Sequence, residues 1–291
     1  DIPGRRVLQA HGVLRQGRIG DSQASCRLCY SLAMFRKLRI ALLLFVLATV
    51  ALGAWRAKAR ATDWRSSLLV AVYPIAADDS PVTHDYIATL SDASFEDIEA
   101  WFEAEAKRHG IDVLRPVDVS LARRVDSIPP APPRGGNALH VAWWSLQLRY
   151  WSWRNDQDHR PAPQVKLYVV FHDPARNYAV PHSLGLEKGM IGVVHAFASR
   201  AQAAQNDVVI AHELLHTLGA TDKYDPASNL PLFPDGYAEP ARTPLLPQLR
   251  AEIMAGRTPV SASEAKMPDS VFDTAIGPAT AGEVRLDTQA R

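Results

Sequence analysis

Two histidines four residues apart, His212 and His216, enclose an acidic residue, Glu213, in the segment NDVVIAHELLHTLGATDKYD at 206–225. On a helix, positions four apart lie on one face, so both imidazoles can bind one metal ion. Neutral imidazole nitrogens bind Zn²⁺ at about 2.0–2.1 Å. Glu213 lies about 100° further round such a helix and can move a proton between a metal-activated water and a leaving group. The spacing therefore predicts two zinc ligands and a general base.

A catalytic zinc needs a third protein ligand and one position open for water. Gly219 follows the histidines and suits the left-handed turn that ends a helix, after which the chain can bring Asp222 back toward the metal. Two other carboxylates stay open as alternatives. Asp225 is close in sequence, and Glu239 lies at the spacing of a ligand on a second helix. Prolines around Glu239 disfavour such a helix, so Asp222 is the expected third ligand.

The full pattern His-Glu-x-x-His-x-x-Gly-x-x-Asp, from His212 to Asp222, resembles the long zinc motif of the metzincin peptidases. Asp222 stands where most members of that family carry a third histidine. The resemblance implies an α+β, metzincin-like catalytic domain with a twisted mixed sheet and a zinc-binding active-site helix. It also implies a methionine turn beneath the metal, for which 252–256 with Met254 is the candidate. Residues 189–197 are the candidate for the family's edge strand above the cleft, which an extended peptide can join.

A tyrosine, Tyr224, follows the motif and can donate a hydrogen bond to the oxyanion of a peptide under attack; packing within a loop is the alternative role. Three other histidines, His172, His182 and His195, lie in or near predicted strands without ligand spacing. They are expected to be structural.

The elements that would position these residues follow from periodicity and composition. Strands are predicted at 67–75, 111–121, 164–172 and 189–197. Helices are predicted at 94–110 with Ser94 as N-cap, at 137–155, and at 205–218 with Asn206 or Asp207 as N-cap.

The predicted helix 137–155 is rich in aromatic residues, among them Trp143, Trp151 and Trp153. Large aromatic side chains bury much area in a core, and core packing is the expected role. The alternative is a helix lying on a membrane surface, where indole rings favour the interface.

Near the N-terminus, Arg36, Lys37 and Arg39 precede an apolar run at 40–55. This layout is typical of a signal anchor or a cleaved signal, and we expect a transmembrane anchor at 36–57. Residues 1–35 are expected to be a disordered or non-native extension. They contain Cys26 and Cys29, which have half of a zinc-site spacing but no second pair. Residues 62–291 would form the catalytic domain, on the extracytoplasmic side of a single-pass membrane protein.

The composition is that of an ordinary globular protein, with 47% hydrophobic and 22% charged residues and a formal net charge of +1. No dense basic block indicates a nucleic-acid partner. The sequence therefore predicts a zinc-dependent endopeptidase that acts on polypeptides and is held at a membrane by its N-terminal helix. The alternative is a catalytically inactive zinc-binding adaptor or structural module of the cell envelope.

Overall fold

The computed structural model describes residues 21–133, 135, 137–156, 162–187 and 189–287. The chain divides into two units, Asp1–Gly53 and Ala54–Arg291. The described part of the first unit is helical, and the second contains the sheet and the candidate site. Residues 1–20 of the predicted extension lie outside the described residues, whereas 21–35 are helical.

The helices and strands have the following bounds. The helices are α1 (Asp21–Ala61), α2 (Pro81–Ala88), α3 (Glu96–Arg108), α4 (Ala138–Arg154), α5 (Ala203–Leu218) and α6 (Pro278–Glu283). The strands are β1 (Leu68–Ala76), β2 (Val117–Leu121), β3 (Val165–His172), β4 (Leu184–Leu186), β5 (Ile191–Phe197), β6 (Ala251–Glu252), β7 (Thr258–Pro259), β8 (Ala265–Lys266) and β9 (Thr274–Ala275). Short 3₁₀ turns occupy Asp92–Phe95, Arg200–Gln202, Ile253–Ala255 and Val271–Asp273.

The main sheet is mixed, with the strand order β2-β1-β3-β5-β4. The first four of these strands run parallel, with Val72 opposite both Leu121 and Leu167, and Leu167 opposite Gly192. The short strand β4 pairs antiparallel to β5 and forms one edge of the sheet. A mixed sheet with helices was predicted, and this part of the fold prediction is confirmed.

Both faces of the sheet are buried, because successive side chains of a strand point to opposite faces. One face carries Val72, Leu167 and Val194 into a core shared with α3 and α5. The other carries Tyr73 and Tyr168 into a second core with α4. This explains why β1 and β3 are near-continuous apolar runs, as strands covered on both sides are.

All four predicted strands belong to the sheet, although the one predicted at 111–121 is limited to Val117–Leu121. The prediction that 189–197 forms the edge strand is wrong. β5 lies between β3 and β4, and the edge belongs to the three residues of β4.

The helices at 137–155 and 205–218 are confirmed as α4 and α5. Two predicted caps are wrong. Ser94 lies inside a 3₁₀ turn, where its hydroxyl accepts from the Ser91 amide at 3.0 Å, and α3 begins two residues later. Asn206 lies inside α5, where its side-chain amide bonds both backbone groups of Phe197 and ties the helix to β5.

Among the described residues, one helical stretch is long and apolar enough to cross a membrane, Arg36–Ala61 within α1. Its 26 residues correspond to about 39 Å of helix at 1.5 Å per residue, which exceeds a hydrocarbon core of about 30 Å. The last residue of this stretch, Ala61, is buried in the core of the second unit together with Trp64.

Candidate metal centre

The two histidines of α5 both direct their Nε2 atoms toward the carboxylate of Asp222. Each Nδ1 lies near a backbone carbonyl, His212 at 2.9 Å from Ile253 and His216 at 2.8 Å from Ala220. A carbonyl only accepts hydrogen bonds, so each Nδ1 carries the proton in the neutral ring and each Nε2 keeps its lone pair. Such bonds fix the tautomer in which histidine binds metals through Nε2.

Asp222 completes this arrangement. Its Oδ1 lies 3.2 Å from Nε2 of His212 and 3.1 Å from Nε2 of His216. Three ligands at 2.0–2.1 Å from a tetrahedral zinc are about 3.3–3.4 Å apart, close to the distances from Asp222. When the imidazoles also carry a proton on Nε2, they donate hydrogen bonds to Asp222 and hold its pKa well below its usual range, although burial acts to raise it. The residues therefore fit a metal with two nitrogen ligands and one oxygen ligand.

Glu213 lies next to the two histidines and forms with them a group that could hold a metal ion. A nitrogen of each histidine and a carboxylate oxygen of Glu213 lie within 4.8 Å of one another. Glu213 is 5% exposed, and its Oε2 has no hydrogen-bond partner among the described residues. A buried carboxylate oxygen without a partner is costly, and a water held at the metal would satisfy it. Burial raises the pKa of Glu213, and the adjacent imidazoles offset only part of this rise, so the group is suited to carrying a proton.

These side chains open into a cleft of about 430 Å³. Tyr224 lines the same cleft, and its pKa is raised by burial and by the nearby carboxylates of Asp222 and Glu213. The phenol therefore keeps its proton and can act as a donor. His182 and His195 also line the cleft.

No match to this chain is found among protein-family models or curated proteins.

The two alternative ligands are not brought to the site. The carboxylate of Asp225 accepts hydrogen bonds from the Ala227 amide at 3.1 Å and the Ser228 hydroxyl at 2.7 Å, as in a local turn. Glu239 is absent from the described lining of the cleft. The geometry thus favours Asp222 over both.

The candidate methionine turn lies against α5. Met254 is fully buried in the 3₁₀ turn Ile253–Ala255, whose first carbonyl orients His212. Glu252, also fully buried, holds this turn in place by accepting hydrogen bonds from Ala255 within it and from Gly277 and Thr280 outside it. An acidic residue in an apolar segment is a sequence signal that could have identified Glu252.

A second pair of histidines, outside the candidate metal ligands, was not expected. His172 Nε2 and His195 Nδ1 lie 2.9 Å apart, so one ring donates to the other. Burial lowers the pKa of both, that of His195 to about 4, and both rings are neutral at pH 7. Their predicted structural role stays a prediction, although His195 contributes to the wall of the cleft.

The loop that carries Asp222 is held by an ion pair that the sequence did not indicate. Lys223, which is buried, donates to both carboxylate oxygens of Glu283 at 2.9 and 2.8 Å. Glu283 also accepts from the amide and hydroxyl of Thr221. The residues on both sides of Asp222 are therefore attached to the end of α6.

We expect Glu283→Gln to lower the free energy of unfolding by about 2 kcal/mol, between the values for surface and buried ion pairs. Burial acts to raise the pKa of Glu283, but the hydrogen bonds from Lys223 and Thr221 lower it overall. A depressed folded pKa contributes stability above the unfolded pKa, and this contribution is lost as pH falls through the folded value. The difference between wild type and variant, measured by urea unfolding, should therefore shrink at acid pH.

The same variant should weaken zinc binding roughly 10- to 100-fold, as loss of an outer-shell contact does. The matched control is Glu103→Gln, which removes an exposed pair with Lys107 on α3. It should leave zinc affinity unchanged. Equal effects of the two variants would show that Glu283 does not hold the Asp222 loop.

A glycine in the edge strand allows β4 to approach α5, the helix that carries His212 and His216. A Cβ at Gly185 would lie 2.4 Å from the His216 Cβ and 2.5 Å from the Glu213 carbonyl oxygen. The Gly185 amide also donates to the Glu213 carboxylate. The glycine is therefore required by close approach to helix backbone, a meaning that a glycine inside a strand often has.

We expect Gly185→Ala to lower the free energy of unfolding by about 3 kcal/mol, because the new Cβ would meet the backbone of α5, which cannot move aside. The comparison is Gly53→Ala in α1, where a new Cβ meets nothing within 4 Å. Urea unfolding of both variants in detergent would test this. A Gly185→Ala protein as stable as wild type would contradict the close packing of β4 on α5.

Proposed function

We propose that this chain is a zinc-dependent endopeptidase with His212, His216 and Asp222 as metal ligands and Glu213 as general base. The observation that carries the proposal is the convergence of three ligand atoms, with the unpartnered Oε2 of Glu213 beside them. Two ligands from a helix and one from the following loop leave a tetrahedral site open on one side.

The chain's own groups can be assigned roles in hydrolysis. A bound zinc would polarise the peptide carbonyl and acidify a water. Glu213 accepts a proton from the attacking water and passes it to the amine that leaves when the C–N bond breaks. Tyr224 donates a hydrogen bond to the oxygen of the tetrahedral intermediate. The carbonyls of Ile253 and Ala220 hold the imidazoles in orientation through Nδ1.

We propose further that the domain is metzincin-like. Three structural features support this. Gly219 ends α5 in the left-handed conformation, with φ of 102°. The Met254 turn is hydrogen-bonded to a metal-ligating histidine through Ile253. An antiparallel edge strand, β4, packs on the metal-binding helix. An extended polypeptide is the substrate that such an edge would accept.

We also propose that α1 anchors the chain in a membrane, with unit Ala54–Arg291 on the extracytoplasmic side. The length and apolar composition of Arg36–Ala61 support the span. Protease added to cells stripped of any outer membrane should digest the second unit. Protection of that unit in cells stripped of any outer membrane, lost only when the membrane spanned by α1 is lysed, would contradict the orientation.

The enzymatic proposal is tested by incubating the full chain, purified in detergent, with casein and with a peptide library. Cleavage should occur, stop on treatment with 1,10-phenanthroline and return on addition of zinc. Wild-type protein that binds zinc but cleaves neither substrate would favour the zinc-binding adaptor instead. Cleavage that persists after complete metal removal would contradict a metal-dependent mechanism.

A further inference from the structure

Helix α4 carries an apolar stripe that the domain leaves exposed. The stripe consists of five large side chains that are each between 57 and 77% exposed: Leu139, Trp143, Leu146, Tyr150 and Trp153. At 100° per residue these positions fall within about 80° of the helix circumference. They therefore form one continuous strip along the helix.

The opposite face of α4 is the one that packs on the sheet. Trp144, Leu148 and Ser152 are buried there, centred half a turn from the stripe. A helix that is apolar on both faces is normally enclosed on both faces. The prediction that the aromatic residues of this helix pack in a core is therefore right for Trp144 and wrong for Trp143 and Trp153.

The position of α4 in the fold indicates what would cover the stripe. The guanidinium of Arg149 packs over Gly189, with Nε 3.3 Å from where a Cβ would stand. Two residues earlier, Glu187 forms an ion pair with Lys58 of α1. The turn between β4 and β5 thus makes two contacts. Gly189 contacts α4, and Glu187 contacts the C-terminal end of the candidate membrane span.

The distance along the chain to the membrane span is also short. Trp55, the last residue of the apolar run, precedes the buried Ala61 by six positions. In helical form these six positions cover about 9 Å. The chain connection therefore limits the separation between the second unit and a bilayer that holds the apolar run.

The composition of the stripe suits the headgroup region of a bilayer. Tryptophan and tyrosine rings favour this region because one end of the ring is apolar and the other polar. Arg154 lies beside the stripe, and residues 137–155 contain no acidic side chain. Basic side chains beside an apolar strip attract anionic lipids and extend toward their headgroups.

We propose that the α4 stripe lies in the interfacial region of the bilayer that α1 spans, and holds the second unit against an anionic lipid surface. This inference rests on the membrane span proposed above and is independent of the zinc chemistry. A second copy of the chain is the competing occupant.

The test uses the full chain in nanodiscs of phosphatidylcholine and phosphatidylglycerol, with Cys26→Ser and Cys29→Ser. An environment-sensitive NBD fluorophore is attached at Leu146→Cys in the stripe. The control carries it at Leu249→Cys, which lies outside α4 and is 67% exposed, against 57% for Leu146. The stripe probe should emit at shorter wavelength and lose roughly half of its emission to lipids that carry a headgroup-region nitroxide. The control probe should show neither effect.

The double variant Trp143→Ser/Trp153→Ser should largely abolish quenching of the Leu146 probe, while the far-ultraviolet circular dichroism stays unchanged. A stripe probe as solvated as the control overturns the inference. A blue shift that requires two chains per disc and is insensitive to the lipid quencher overturns it in favour of a second copy. A chain that does not enter nanodiscs overturns both the span and this inference, and leaves the metal site untouched.

Discussion

Replacing Glu213 with glutamine is expected to lower the rate of peptide cleavage by about 10²- to 10⁴-fold, the usual contribution of a general acid–base group. Glutamine has the shape of glutamate and can still accept from the Gly185 amide, but it cannot take a proton from water. The fold and the three ligand atoms should be unaffected. The loss should therefore appear in kcat, with KM and zinc content close to those of wild type.

The control for this experiment is zinc content measured on the same sample, because a structural effect of the substitution would lower metal occupancy too. Glu103→Gln provides a matched substitution on an exposed surface and should leave cleavage unchanged. Retention of wild-type cleavage by Glu213→Gln would remove Glu213 from the mechanism and would leave its unpartnered Oε2 unexplained.

Replacing Asp222 with alanine is expected to weaken zinc binding by at least about 100-fold, more than loss of an outer-shell partner costs. Asp222 is the only carboxylate among the three open candidates that the structure places against both Nε2 atoms. Asp222→His should retain zinc, because an imidazole nitrogen binds the metal at a similar distance. Competition with a fluorescent zinc chelator would measure the zinc affinities of wild type, Asp222→Ala and Asp222→His.

Asp225→Ala and Glu239→Ala are the matched controls, since both residues were candidate ligands from sequence. Neither should change zinc affinity appreciably. Loss of zinc from Asp225→Ala, with retention in Asp222→Ala, would show that Asp225 and not Asp222 is the third ligand.

The parts of the fold that could be predicted are those with a strong local pattern. Strands β1, β3 and β5 are apolar runs of 7 to 9 residues, and α5 combines an apolar body with the glycine that ends it. The four candidate catalytic and metal-binding residues of the motif lie within one helix and the loop after it. They are His212, Glu213, His216 and Asp222. Short-range spacing was enough to bring them together.

The parts that could not be predicted depend on contacts distant in sequence. Strand β4 has three residues, too few for a periodic pattern, and its Gly185 is explained only by α5 lying against it. Lys223 and Glu283 are 60 positions apart, and nothing local to either indicates the other. Helix α4 is apolar on both faces, so periodicity could not indicate which face the sheet would cover.

The central claim, a zinc held by two imidazoles and a carboxylate, is tested most directly by zinc K-edge X-ray absorption on the full chain in detergent. We predict nitrogen and oxygen neighbours at about 2.0–2.2 Å, without sulfur, and loss of this signal in His212→Ala. Purified protein without zinc would contradict the claim. A sulfur neighbour at about 2.3 Å that persists in His212→Ala would contradict it too, because it would place the metal at Cys26 and Cys29.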